Sequence, residues 1–182
     1  MLLDRLIGMQ PVATRVRLAL VASVVGTLAW PPRLDGQAPG HATAVSEARA
    51  RADSVAVADA VHRFLTAFEN LDWARFRASF SEAATVFHPS PDMAERVTGP
   101  RGIDSTFRAV FADIRARATG GPPYHRLVPT DLRIQPLSPG FLLVTFHLHN
   151  TERLGRRTII FRHEDTRWRI LHLHASNTAT KP

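Results

Sequence analysis

The chain has 182 residues, 45% hydrophobic and 21% charged, with a formal net charge of +7 and no cysteine. This fits one globular domain plus an extra segment, large enough to bury a core without cross-links, and it excludes disulfides, thiolate catalysis and cysteine-ligated metal. Lys181 is the only lysine; Arg and Asp/Glu are interspersed through most of the domain, and the densest basic run, RLGRR (Arg153 to Arg157), falls at an expected hairpin turn, so the charge reads as a solvated basic surface and not as a nucleic-acid interface.

Arg15 and Arg17 precede an uncharged apolar run, Leu18 to Trp30. It is shorter than the ~20 residues of a membrane span and matches the apolar region of a signal peptide, with small residues for cleavage around Ala38 or Ala42. Residues 1–42 are therefore expected to form a signal peptide and cleavage region, and the mature domain to be exported, periplasmic or secreted, with no membrane segment of its own. The alternative is an uncleaved N-terminal membrane anchor.

Residues 43–52 are small and polar without an apolar stripe and read as a linker, with Asp53 and Ser54 as N-caps. Val57, Val61, Phe64, Leu65 and Phe68 then mark one face of a long helix. Asp72 caps a second, short helix carrying Trp73, Phe76 and Phe80. The stretch ATVFHP (Ala84 to Pro89) reads as a strand stopped by His88 and Pro89. A short strand at Glu95 to Val97 precedes a third helix, Ile103 to Ala118, which Gly120-Gly121-Pro122-Pro123 terminates. Only strand patterns follow: His125 to Pro136, then Phe141 to Thr151, Arg156 to Glu164 and Arg167 to Ser176 as a meander. Helices early and strands late predict an α+β domain over residues 53–177, a curved antiparallel sheet wrapped around the helices, with 178–182 as a tail.

Two stretches carry a family resemblance. VHRFLTAFENLDWARFRASFSEAATVFHP resembles the first half of ketosteroid isomerases, and GRRTIIFRHEDTRWRILHLHAS resembles the end of SnoaL-like proteins and of the calcium/calmodulin-dependent kinase hub. The chain is thus similar to the nuclear transport factor 2-like superfamily, SnoaL-like branch. The resemblance implies a cone: a mainly antiparallel sheet around a long N-terminal helix plus two shorter ones, a pocket between sheet and helix, and a homodimer through the convex sheet face. It places His88 where the isomerases hold their general base, and an imidazole suits that task. The isomerases' oxyanion-hole tyrosine and protonated aspartate correspond here to Phe64 and to Thr158 or Ile159, so the pocket carries over and the isomerase mechanism does not.

The remaining candidates are weighed by face. His147 and His149 share one side of a strand with Thr145, and His172 and His174 share one side of another. Because a strand separates the two pairs by ~9.5 Å, and no Asp or Glu sits beside them, no metal site is expected; no cofactor is implied either. By resemblance, Thr145, His147 and His149 line the pocket, and the apolar face Leu142, Val144, Phe146 and Leu148 serves a dimer. For the last strand both orientations stay open. Arg157, sharing a face with Ile159 and Phe161, is the candidate to hold an anionic small-molecule ligand. Trp73 is the candidate cap of the pocket, and His125 stands at its mouth. Two readings remain: a small-molecule binder with acid/base chemistry (isomerase, dehydratase or hydrolase type) through His88, or a non-catalytic dimeric assembly module.

Overall fold

The computed structural model describes residues 39–90, 95–150 and 153–179, with side chains from residue 44 onward. The expected signal peptide up to residue 38 lies outside the described residues, and residues 39–42 of the expected cleavage region are helical. The element order is α1 (Pro39–Glu69), α2 (Trp73–Ala78), β1 (Phe80–Phe87), β2 (Val97–Thr98), α3 (Gly99–Arg117), β3 (Pro129–Ser138), β4 (Phe141–His149), β5 (Arg153–Glu164) and β6 (Arg167–Ala179). This is the expected α+β arrangement, with one long and two shorter helices. No described helix is long and apolar enough to cross a membrane.

The long helix begins well before Asp53. The 43–52 stretch, expected as a linker, is helical, and from Ala44 to Ala52 every residue is exposed. The physical reason is propensity. This stretch is rich in Ala, Arg and Glu, good helix formers that need no buried stripe, and a Glu47–Arg51 pair lies on the helix surface. Ser54 does not cap; its hydroxyl donates back to the Ala50 carbonyl within the helix. From Val57 onward the predicted face is buried: Val57, Val61, Phe64 and Leu65.

Helix α1 ends at the expected break. Leu71 adopts a left-handed backbone (φ 52°), and the Asp72 carboxylate accepts from the Arg75 amide at 3.1 Å, capping α2. Helix α3 starts at Gly99, four residues earlier than its apolar stripe, because Pro100 is tolerated in a first helical turn.

The six strands are ordered β2-β1-β6-β5-β4-β3. All neighbours are antiparallel except β1 and β6, which run parallel. In β6, His172 pairs with Ile160 while Ile170 pairs with Phe161, so Leu171 is an extra residue opposite the bond between them. This bulge resets the alternation: Ile170 faces the helices, and two-residue spacing resumes with Leu173 and Ala175, all buried. A strict period of two cannot bury Ile170 and Leu173 together. The open choice for the last strand is settled by that one residue, and His172 and His174 lie on the outer face.

The same burial corrects the expectation for β4. Leu142, Val144 and Phe146 are buried against the helices, so the purely apolar face is the core face and not a dimer surface. Thr145 and His147 point the other way.

Phe76 is the centre of the core. Its ring lies 4.9 Å from Phe107, 5.0 Å from Phe111, 5.2 Å from Phe80 and 5.5 Å from Phe64 between centroids, distances at which offset and edge contacts are favourable. It thereby joins α1, α2, α3 and β1. Phe76→Ala is expected to cost ~3–5 kcal/mol, read as a lower denaturant midpoint without loss of the two-state transition.

Candidate functional site

At the open end of the domain the sheet and α1 do not close completely. An apolar cavity of about 110 Å³ lies between them, walled by Phe64, Phe68, Val86, Phe107, Phe146 and Leu173 among others. Among the described residues two polar side chains face it, His88 and Arg157. Arg157, Leu127 and Leu148 also line a second cleft of about 410 Å³ further out, whose other walls include His125, Arg126, His149, Arg153 and Asn177. No carboxylate of the described residues lines either space, and none lies within ion-pair distance of Arg126, Arg153 or Arg157. The outer cleft is therefore electropositive and narrows towards an apolar interior.

His88 follows β1 directly, where the strand ends at Pro89. Its ring stands edge-on to Phe107 at 5.9 Å between centroids, and Nδ1 accepts a hydrogen bond from the Ser90 amide at 3.1 Å. Burial, and secondarily the Arg157 charge, hold its pKa below 6.5. The ring is thus neutral at pH 7. Because Nδ1 accepts a backbone N–H, the ring proton resides on Nε2.

Arg157 lies on the inner face of β5 with Ile159 and Phe161, as its spacing predicts. Nη1 donates to the carbonyls of Arg156 (2.9 Å) and Ser176 (3.0 Å) and to Asn177 Oδ1 (3.2 Å); Nη2 donates to Asn177 Oδ1 (3.3 Å). The guanidinium lies over Gly155. A Cβ at that glycine would stand 3.0 Å from Nη1 and 3.1 Å from Nη2. Burial lowers the Arg157 pKa from its usual value.

Of the other predicted site residues, His125 and His149 line the outer cleft, and the His125 ring also stacks 6.0 Å from Phe68. Thr145 and His147 lie on the outer sheet face, away from the cavity, because the alternation of β4 turns them opposite Val144 and Phe146. His172 is also on that face, with Nδ1 2.7 Å from Thr85 Oγ1; His174 packs 5.7 Å from Phe87. Trp73 does not cap the cavity. It packs on Phe76 and Phe111 beneath Arg108, whose guanidinium carbon lies 4.2 Å from the ring centre. Among the described residues no three His, Asp or Glu side chains converge closely enough to hold a metal ion.

Gly155, Asn177 and Ser90 were not anticipated. For Gly155 a signal existed, since a glycine inside a strand marks a close approach. Asn177 and Ser90 act through one side chain and one backbone amide, and no pattern distinguishes them.

The histidine environments have a consequence for stability. Burial and the nearby His174 and Arg96 charges hold His172 below 6.5, as His88 is held. For Glu164, burial raises the pKa, but the Ser81 and Arg162 hydrogen bonds and the Arg162 and Arg169 charges outweigh it, leaving it below 4.5. In all three cases the unfolded chain binds protons that the native state does not. Stability is therefore fully present at neutral pH, begins to fall below pH 6.5, and falls again as Glu164 protonates below 4.5. Urea denaturation at pH 7.5 and 5.5 is expected to show a lower midpoint at 5.5, and His88→Asn is expected to reduce the difference.

Comparison with known proteins agrees with this architecture. The family model of the SnoaL-like domain matches residues 57–180. A nuclear transport factor 2-like family protein from Streptomyces avermitilis, named provisionally as a dehydratase, superposes with a TM-score of 0.58 at 17% identity, over 70% of this chain and 97% of that one. The association domain of calcium/calmodulin-dependent kinase II from C. elegans gives 0.55 at 14% identity, over 69% and 96%. A nuclear transport factor 2-like protein of unknown function from Pseudomonas putida gives 0.54 at 15%, over 69% and 87%. At these identities the likeness is one of fold. Among proteins of curated function no sequence matches. By the family model, the element order and the sheet topology, this chain belongs to the SnoaL-like family of the nuclear transport factor 2-like fold.

Proposed function

We propose that this protein is an exported binder of a small organic molecule, held in the cavity between the sheet and α1. The observation that carries this reading is the cavity itself: an apolar interior with, among the described residues, only His88 and Arg157 as polar wall groups, opening into a cationic cleft. A few placed polar groups on an apolar wall are what small-molecule sites have in common. Export is supported by the Leu18 to Trp30 run behind Arg15 and Arg17. Acid/base chemistry of the isomerase, dehydratase or hydrolase type would fall to His88, the only titratable ring lining the inner cavity among the described residues, and base chemistry there would require its proton to move from Nε2 to Nδ1.

Native mass spectrometry of the chain as its host processes it tests both parts. The expected species lacks about forty N-terminal residues and carries a bound small molecule. Ala175→Phe, which fills the cavity from a buried position, should release that molecule while leaving the fold intact. A full-length mass defeats the export reading; a ligand retained by the filled variant defeats the cavity reading.

A second reading, homodimeric assembly, is favoured by the outer face of the sheet. Phe87, Leu143, Thr158 and Ile160 lie there half-buried with His172, and the centre of this surface carries no carboxylate among the described residues. The similar C. elegans domain is an association domain by name. Light scattering during size exclusion is expected to give a dimer mass for the wild type and a monomer mass for Ile160→Glu, which places a charge at the middle of that face.

A further inference from the structure

The guanidinium of Arg157 has five N–H donors in fixed directions. Nη1 and Nη2 both donate to the single oxygen Asn177 Oδ1, which engages the two hydrogens facing each other at the tip of the group. The second Nη1 hydrogen is shared by the carbonyls of Ser176 and Arg156. Two donors remain, Nε–H and the other Nη2–H, and neither has a partner among the described residues. These two lie parallel on one edge, the edge on which a carboxylate is received by two hydrogen bonds at once. The group cannot rotate this edge away without breaking its bonds to Ser176 and Asn177. Gly155 favours the posture, because a Cβ there would stand 3.0 Å from Nη1 and 3.1 Å from Nη2 and push the guanidinium off its present seat.

The other polar group of the inner cavity is also a donor. With Nδ1 accepting from the Ser90 amide, neutral His88 can offer only Nε2–H, and Nε2 has no partner among the described residues. Acting as a base would require the proton to move to Nδ1 and the Ser90 bond to be lost. Among the described residues the polar side chains of the inner wall therefore offer hydrogens and no acceptor, and no carboxylate lines the cavity.

We propose that the cavity takes small organic carboxylates with a compact apolar body, the carboxylate seated side-on on the Nε/Nη2 edge of Arg157 and His88 serving the site as a hydrogen-bond donor, not as a base. Gly155 and Asn177 are positioning residues for Arg157. The inner volume of about 110 Å³ is below the ~150 Å³ that accommodates benzene in an engineered cavity, which suits a branched short-chain acid or a single ring protruding into the outer cleft. The cationic residues of that cleft, Arg126 and Arg153 with Arg157, favour the approach of an anion.

This rests on the small-molecule reading of the cavity, and the test separates the two. Isothermal titration of the full processed chain with 3-methylbutanoate and benzoate, each against its own amide, is expected to show the acid binding at least ~10-fold tighter, as two charge-assisted bonds replace neutral ones. Arg157→Gln and Gly155→Ala should each reduce that advantage below ~2-fold, a loss tied to the charge-assisted pair. Nitrogen-15 NMR of the bound wild type should show His88 protonated at Nε2 and bare at Nδ1. Amides that bind as tightly as their acids overturn the carboxylate assignment and leave the cavity a binding site. A proton on Nδ1 overturns the donor role. Absence of binding by both acid and amide overturns the inference together with the reading beneath it.

Discussion

One extra residue in β6 governs what this fold encloses. The bulge at Leu171 lets both Ile170 and Leu173 face the helices. Ile170 is tied to the end of α2, its amide donating to the Ser79 carbonyl at 2.8 Å. Beyond the bulge the inward positions are Leu173 and then Ala175, which tapers in size towards the open end. Across the ladder, Ala175 pairs with Arg157 and Asn177 with Gly155. Without the bulge the inward residues would be His172 and His174, and two bulky polar rings would stand where the cavity is.

The domain is thereby divided into a solid end and a hollow end. At the solid end, four phenylalanine rings from α1, α3 and β1 interlock around Phe76 of α2, and dispersion over dense contacts makes that region resistant to change. At the hollow end, Ala175 leaves room that the surrounding side chains do not fill, while the space over Gly155 holds the Arg157 guanidinium. A half-buried guanidinium is costly to desolvate, and Arg157 offsets this with three backbone or amide oxygens instead of a carboxylate. It keeps its full charge available to something that enters. An intramolecular Asp or Glu partner would have stabilised the empty state and cancelled the charge.

The outer sheet face has a different character. Its imidazoles, once candidates for the pocket, sit among half-buried aliphatic and hydroxyl side chains, with Thr85 and His172 hydrogen-bonded across the parallel β1–β6 pair. The face is neither a polar, fully solvated surface nor a dry core. It therefore stands apart from the cavity both in position and in chemistry, and ligand binding and assembly are separable properties of the two sides of one sheet.

How much of this was legible in the chain depends on the range of the forces involved. The helix stripe from Val57 to Leu65, the Asp72 cap, the order of strands and the shared face of Arg157, Ile159 and Phe161 follow from local periodicity and capping, and the sequence determined them by itself. The motifs VHRFLTAFENLDWARFRASFSEAATVFHP and GRRTIIFRHEDTRWRILHLHAS likewise sufficed for the family. Stripe counting missed the exposed helical turns before Asp53, since helix propensity needs no buried face there. Which side of β4 and β6 turned inward was decided only in three dimensions. Two apolar faces compete in β4, Leu171 shifts the parity in β6, and both are resolved by packing against residues distant in sequence. The same holds for the tautomer of His88 and the free edge of Arg157: each is set by a single partner, the Ser90 amide and Asn177, whose role exists only once the chain has folded.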